Sequence, residues 1–366
     1  MIRVILLLLA IPYCLSDFLY PDFNHTQGLA FNGNATSSIC GKQPPLPNLS
    51  TIQFVNGYET KVDITRDMDG QSQSISKDLL SAFGHRDAYG ISSNSKCVRR
   101  LRLTPSLPSQ VGSVFYERRV SVLKGFDTTF TFQMGLDQSK VCTQRIDPIT
   151  MEEQFKSCSI HGGDGFAFVI HADERGFDAI GQDGQQLGYG GIRNSLAIEF
   201  DSWGNVELQG SDDLYQDHIA LHSASTAANS ANASTMLGYW KPTELADGKR
   251  HRARVQYLSY IEEKYFHQFS GNENLVPYLK DNGEGRRVGT LAVFIDEGVQ
   301  NSKPLIAIPL NLSVLLDLPQ SLAYVGFTAS TGERFQTHDI LDWHWCDNVD
   351  CQGDQDEIAR TERGLD

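Results

Sequence analysis

Glu199, Asp201, Asn205, Asp213 and His218 lie close together in the chain, and no Lys or Arg occurs from Asn194 to His222 to balance the acids. Glu199 and Asp201 finish an apolar run that begins at Ser195. Side chains alternate faces along a strand, so these two carboxylates share one face about 7 Å apart. Leu196, Ile198 and Phe200 take the other face. Ionised carboxylates at the end of a buried strand are costly unless a positive charge sits between them. A metal ion is the natural neutraliser. Carboxylate and carbonyl oxygens suit Ca2+, whereas one imidazole moves a site towards Mn2+ or Zn2+. Asp212 and Glu207 are further oxygen donors in the same segment.

Neighbouring elements must hold these donors in place. A first apolar run, Gly165 to Ile170, is entered through a Gly-Gly-Asp-Gly turn that carries Asp164, and a Gly-rich loop with Gly181 and Gly184 joins it to the second. Asp164 has two readings: it hydrogen-bonds its own turn, or its ionised carboxylate accepts two hydroxyl hydrogen bonds from a ligand. Trp203 is either core packing or a flat apolar platform. His161, His171 and His222 read as structural, and Trp343 and Trp345 as core or sheet-face residues. Ser195 and His218 do not make a hydrolase pair, because no Gly-x-Ser-x-Gly elbow surrounds the serine.

Short β-like runs separated by Gly, Asn, Asp and Pro dominate the remaining chain, and helical periodicity is scarce. Phe18–Asn34 is expected to be a strand entering a Gly-containing turn, and further strands are expected in Leu101–Thr104, Ser113–Val122, Thr128–Met134, Ala253–Tyr260, Thr290–Asp296, Ala323–Ala329 and Ile340–Trp345. Pro304–Leu316 should make two short strands broken at Pro309. Strand after strand without helices between them means an all-β sandwich or barrel, not a parallel α/β sheet. A single such domain accommodates the 366 residues.

The segment from Cys40 to Cys97 is Pro-rich, then polar, and reads as an insertion with one short helix near Lys77–Phe83. Asp137–Ile160 is a polar excursion that Cys142 and Cys158 would clip into a hairpin. Residues 1–16 read as a secretory signal, with Arg3 ahead of the apolar run Val4–Pro12. The six cysteines left after cleavage suggest three disulfides. Proximity favours Cys346–Cys351 and Cys142–Cys158, which leaves Cys40–Cys97, but six cysteines permit fifteen pairings. Sequons at Asn24, Asn34, Asn48, Asn232 and Asn311 agree with a secreted or luminal glycoprotein, and Asn311, in an apolar run, weighs least. The net charge of -14 opposes nucleic-acid binding and suits cations or neutral ligands such as sugars. No stretch beyond the signal has the apolar length of a transmembrane helix. An oligomer is allowed.

Four blocks of sequence resemble the legume-type (L-type) lectins in the same order. FNHTQGLAFNGNA is similar to their opening strand, GGDGFAFVIH to the loop and strand bearing their sugar-binding aspartate, and LAIEFDSWGN with DDLYQDHIAL to their metal segment. LPQSLAYVGFTASTGERFQTHDILDWHW resembles their closing strands and specificity loop. The resemblance implies a concanavalin-like antiparallel β-sandwich (jelly roll) over residues 17–346, with insertions at about 37–96 and 137–160 and a charged tail at 347–366. It also implies Ca2+ and a transition ion, usually Mn2+, beneath a shallow sugar pocket. Glu199 and His218 would bind the transition ion, Asp201 and Asp213 would bridge both ions, and Asn205 and the Trp203 carbonyl would complete the Ca2+ shell. Asp164 after a cis Gly163–Asp164 peptide, the Asn205 amide, a backbone N–H near Gly184 and the Trp203 ring would contact sugar, with Glu333 and Arg334 tuning which sugar fits. The metal loop from Asn205 to Asp213 is longer than the family pattern, which leaves Asp212 and Asp213 as alternatives; Gly181 and Gly184 are alternatives in the middle loop.

The implied function is a secreted, non-catalytic lectin that binds glycans or glycoproteins. An adhesion module with the same sandwich and no working pocket is the alternative. A glycoside hydrolase needs two carboxylates about one glycosidic bond. Sandwich hydrolases of this kind carry Glu-x-Asp-x-(x)-Glu on one strand, and here Trp203 and Gly204 stand where the last Glu would be.

Overall fold

A computed structural model describes residues 17–38, 99–135, 162–205, 217–240, 244–281, 287–318 and 321–347, together with the strand backbones of 52–55, 59–62, 140–146 and 153–160. Two antiparallel sheets face each other. The front sheet runs, from edge to edge, Met236–Trp240, His218–His222, Ser195–Asp201, Gly165–His171, Leu322–Ser330, Val111–Tyr116 and Leu29–Gly33, with Val120–Ser121 also on Leu322–Ser330. The back sheet runs Ile306–Leu310, Gly289–Ile295, Arg250–Leu258, Gly125–Met134, His338–Cys346, Arg100–Thr104 and Thr36–Ser38, with Phe18–Tyr20 also on His338–Cys346. The all-β sandwich expected from the sequence is the observed architecture.

Alternation builds the layer between the sheets. Phe166, Phe168 and Ile170 point inward from one front strand, and Leu196, Ile198 and Phe200 from the next. Phe130 and Phe132 meet them from the back sheet, with Phe132 and Phe200 ring centres 5.3 Å apart and Phe166 stacked on Phe200 at 4.6 Å. Front strand Gly165–His171 is buried along its whole length. Its second face packs Ala167 and Val169 under Leu187, Tyr189 and Ile192, which belong to the loop crossing the sheet. Being buried on both faces, this strand reads as an unbroken apolar run instead of an alternating one.

Several strand expectations are corrected. Phe18–Asn34 is not one strand: Phe18–Tyr20 joins the back sheet and Leu29–Gly33 the front, with Phe23 fully buried between them. Ser113–Val122 breaks at the exposed Glu117, Arg118 and Arg119, leaving Val111–Tyr116 and Val120–Ser121. Pro309 interrupts nothing. It pairs with Thr290 inside Ile306–Leu310, an edge strand, where the missing N–H can face away from the ladder. The second half of that segment is a helical turn, Leu312–Leu316, because the Asn311 side chain accepts from the N–H groups of Ser313 and Val314. Asn311 is 1% exposed and its Nδ2 donates to the Lys280 carbonyl, so this sequon is closed to a glycan.

The hairpin expected in Asp137–Ile160 forms, with Lys140–Ile146 paired to Glu153–Ile160 and Cys142 opposite Cys158. Cys346 is disulfide-bonded; the cysteine pairings proposed above otherwise lie outside the described side chains. The signal segment, the Lys77–Phe83 helix and the tail also lie outside the described residues. Among the described residues, no helix is long and apolar enough to cross a membrane.

The back sheet buries ion pairs on the face turned away from the core. Arg102 Nε and Nη2 each donate to Asp339 at 2.7 Å with both side chains fully buried, and Arg100 adds a bond of 3.1 Å. Removing one partner would strand a buried charge. Asp339→Ala is therefore expected to lower stability by about 3–5 kcal/mol in urea denaturation.

Candidate functional site

Strand pairing assembles the acidic cluster. Ser195–Asp201 lies between Gly165–His171 and His218–His222, with Asp201 opposite His218 and Ala197 opposite His222. Residues directly opposite share a face. Glu199, Asp201, His218 and His222 therefore all point away from the inter-sheet core, as the alternation argument required for the first two. His218 Nε2 stands 3.2 Å and His222 Nε2 3.1 Å from Glu199 Oε1, while the Tyr189 hydroxyl donates to Oε2 at 2.6 Å. Burial pushes the Glu199 carboxyl up, but the charges of His222 and His218 and their hydrogen bonds outweigh it and hold it well below the usual carboxylate range. Asp201, 2% exposed, accepts the Trp203 N–H at 2.6 Å.

Asn205 follows, half-buried, and Asp212, Asp213 and Glu207 lie outside the described residues. Among the described residues, no three His, Cys, Asp or Glu side chains make a complete cation cluster. The donors that are described fit a divalent cation in kind: two buried carboxylates and an imidazole on one face, with the Asn205 carboxamide four residues along the chain from Asp201. They match a hard or borderline ion.

A second cluster forms where the front strands end. The Gly163–Asp164 peptide is cis, as the resemblance implied. The Asp164 carbonyl accepts from the Ser202 N–H and hydroxyl, both at 2.9 Å, and its N–H donates to the Ser330 carbonyl at 3.2 Å. Ser330 Oγ in turn donates to the Gly184 carbonyl at 2.5 Å. Gly184 thus lies beside the Asp164 strand end and borders open space, whereas Gly181 is wedged against the backbone of 188–190. Gly332 packs on the Asp164 carboxylate so tightly that a Cβ there would stand 3.0 Å from Oδ2. At Gly163 a Cβ would meet the Cβ atoms of Arg334 and Trp203 at 3.1 and 3.3 Å. Glu333 is exposed, and the Arg334 guanidinium lies 5.2 Å over the Trp203 ring. One face of that indole is consequently occupied by the cation.

The structure thus brings Asp164, Gly184, Trp203 and Arg334 to one end of the front sheet, next to Asp201, with Glu199 and His218 beneath. Sequence reasoning missed Tyr189, His222, Ser202, Ser330 and Gly332. His222 had a usable signal, since it lies four residues after His218 and so on the same strand face. Tyr189 had none, because its contact with Glu199 depends on how the loop folds over the sheet.

The legume lectin domain family matches residues 81–263 and 278–360, well over half of the chain, and the chain belongs to that family. Curated relatives include a probable L-type lectin-domain containing receptor kinase of Arabidopsis thaliana, 27% identical over 62% of this chain and 31% of its own length. A lectin-like protein from the same plant is 31% identical over 50% of this chain and 66% of its own. The chain thus spans less than two thirds of either relative. Among solved structures, a lectin from Bauhinia forficata in complex with GalNAc superposes at 16% identity and TM-score 0.47, covering 90% of this chain and 96% of that one. The VIP36 exoplasmic/lumenal domain in a Ca2+/Man3GlcNAc-bound form superposes at 17% identity and TM-score 0.43, covering 68% and 81%.

Below the Asp164 turn, Gln336 donates to Ser202 Oγ at 2.7 Å and lies 3.3 Å from His338, whose Nδ1 meets Thr104 Oγ1 at 2.6 Å. Burial pushes the His338 imidazole down to about 3, and likewise that of His171. A histidine held neutral by the fold stabilises it fully above its unfolded pKa, near 6.5, and that stability is lost as pH falls towards the folded value. His251 works the other way, because hydrogen bonds to Asp296 and Asp247 raise it against desolvation. The test is therefore differential. Between pH 6.5 and about 5, a His338→Gln variant should lose stability less steeply than the parent, by an amount that rises to about 1.4 kcal/mol per pH unit at the lower end in chemical denaturation.

Proposed function

We propose that this chain is a non-catalytic carbohydrate-binding lectin of the secretory or extracellular space, dependent on Ca2+ and a transition ion such as Mn2+. The observation that carries the reading is the convergence of Asp164, Gly184 and the Trp203–Arg334 pair on one sheet end directly above the buried Glu199–His218 face. Asp164 would accept sugar hydroxyls, a backbone N–H at the Gly184 turn would donate, and Asn205 would bridge sugar and cation. Glu199, Asp201, Asp213 and His218 would hold the ions, with Asn205 and the Trp203 carbonyl completing the Ca2+ shell. Bound cations would supply positive charge beside Asp201 and fix the loops above it. Glu333 and Arg334 would select among glycans. Family membership supports this reading, as does the position of Trp203 and Gly204 where a hydrolase of the fold would carry its second acid.

One observation favours the other reading, an adhesion module without an open pocket. Arg334 covers a face of the indole on which a sugar would stack.

A glycan array probed in Ca2+/Mn2+ and again in EDTA separates the two. Binding that disappears in EDTA supports the lectin; no binding under either condition favours the adhesion module. Asp164→Asn replaces a charged acceptor with a neutral one, and should weaken binding of an array-selected glycan by about 10- to 150-fold in calorimetry.

A further inference from the structure

Glu199 is held from more sides than a cation ligand requires. Its carboxylate is fully buried, and a carboxylate on a flexible two-carbon stem can rotate unless something fixes both oxygens. The two histidines approach Oε1 from the two ends of the adjacent strand, each two residues from Ala220, which pairs with Glu199. Oε2 is fixed from a different element altogether, by the Tyr189 hydroxyl at 2.6 Å. That distance lies in the short range of hydroxyl bonds to an ionised carboxylate.

Tyr189 belongs to the loop that carries Gly184, and this loop is pinned at several other points. Thr328 Oγ1 donates to the Leu187 carbonyl at 2.8 Å, the Gly191 N–H to Asn229, and the Tyr189 N–H to Gln186. The Tyr189 ring fills the small core made by Phe115, Ala167, Val169, Leu187 and Ile192. The hydroxyl thus reaches Glu199 from a rigid base. On the opposite side His222 is itself fixed, its Nδ1 lying 3.0 Å from Thr235 Oγ1.

We propose that Tyr189 is a positioning residue for the cation site: by fixing Glu199 Oε2 it presents Oε1 to the ion, and it ties cation occupancy to the loop bearing Gly184. This rests on the cation-dependent reading above. Groups that orient a metal ligand typically change metal affinity 10- to 100-fold when removed. Because coupling between two binding sites is reciprocal, the same tie should make the cation and the glycan strengthen each other's binding.

The test is calorimetric titration of Mn2+ into chelator-stripped protein in the presence of Ca2+, for the parent and for Tyr189→Phe. The expected result is 10- to 100-fold weaker Mn2+ binding in the variant and an altered visible spectrum of bound Co2+, measured well below the metal-free thermal midpoint, which the lost hydroxyl donor to Glu199 also lowers. Equal Mn2+ affinity in parent and variant overturns the role of Tyr189 while leaving the cation site standing. No Mn2+ uptake by the parent overturns the cation-site reading, and this inference with it. If Tyr189→Phe fails to fold, Tyr189→Met, an adaptable side chain closer to the ring in volume and without a hydroxyl, is judged by the same titration.

Discussion

Keeping a carboxylate ionised inside the protein is the constraint on which the binding end of this sandwich depends. Glu199 sits on a strand buried from end to end, flanked by another such strand on each side. Water cannot solvate its charge there, so protein groups must do so. Two histidines and a tyrosine supply the contacts, and each comes from an element whose place is set by something else: the His218–His222 strand by its ladder, the 181–193 loop by its bonds to Thr328, Ser330 and Asn229. One charged group thereby links sheet register, loop conformation and the acidic face of the front sheet.

The rest of the fold supplies rigidity to that arrangement. Inter-sheet packing of Phe130, Phe132, Phe166 and Phe200 fixes the distance between the sheets, and the second small core under Tyr189 fixes the loop on the front sheet. The buried Asp339 pairs lie on the strand that follows the Gly332–Gln336 turn. That turn in turn packs on Asp164 through Gly332 and on Ser202 through Gln336. Each wall of the candidate pocket is therefore anchored in the sandwich at a separate point, and short-range fit, not loop length, sets where Asp164 sits.

Much of this was legible in the residues, and the failures share a cause. Period-two patterns located most strands, and the parity argument for Glu199 and Asp201 held, since a strand alternates whatever surrounds it. Pro309 misled because whether a proline breaks a strand depends on which edge of the sheet it occupies. Phe18–Asn34 misled because nothing local says that a chain will leave one sheet for the other. Tyr189 was invisible for the same reason. Where Gly184 and Gly181 lie relative to Asp164 was equally hidden, because it turns on which of them meets the Ser330 hydroxyl, a contact between residues 146 positions apart.

For the stretch from Asn194 to His222, sequence by itself determined the chemistry present: which donors exist, which share a strand face, and that the acids there have no Lys or Arg beside them in the chain. Those follow from residue type and from the repeat of an extended backbone, and both are local. Tertiary structure decided the partners. It set Tyr189 and His222 on Glu199, Ser202 and Gly332 on Asp164, and Arg334 on Trp203. Such contacts join segments far apart in the chain, and only the packing of two sheets and their covering loop brings them within reach.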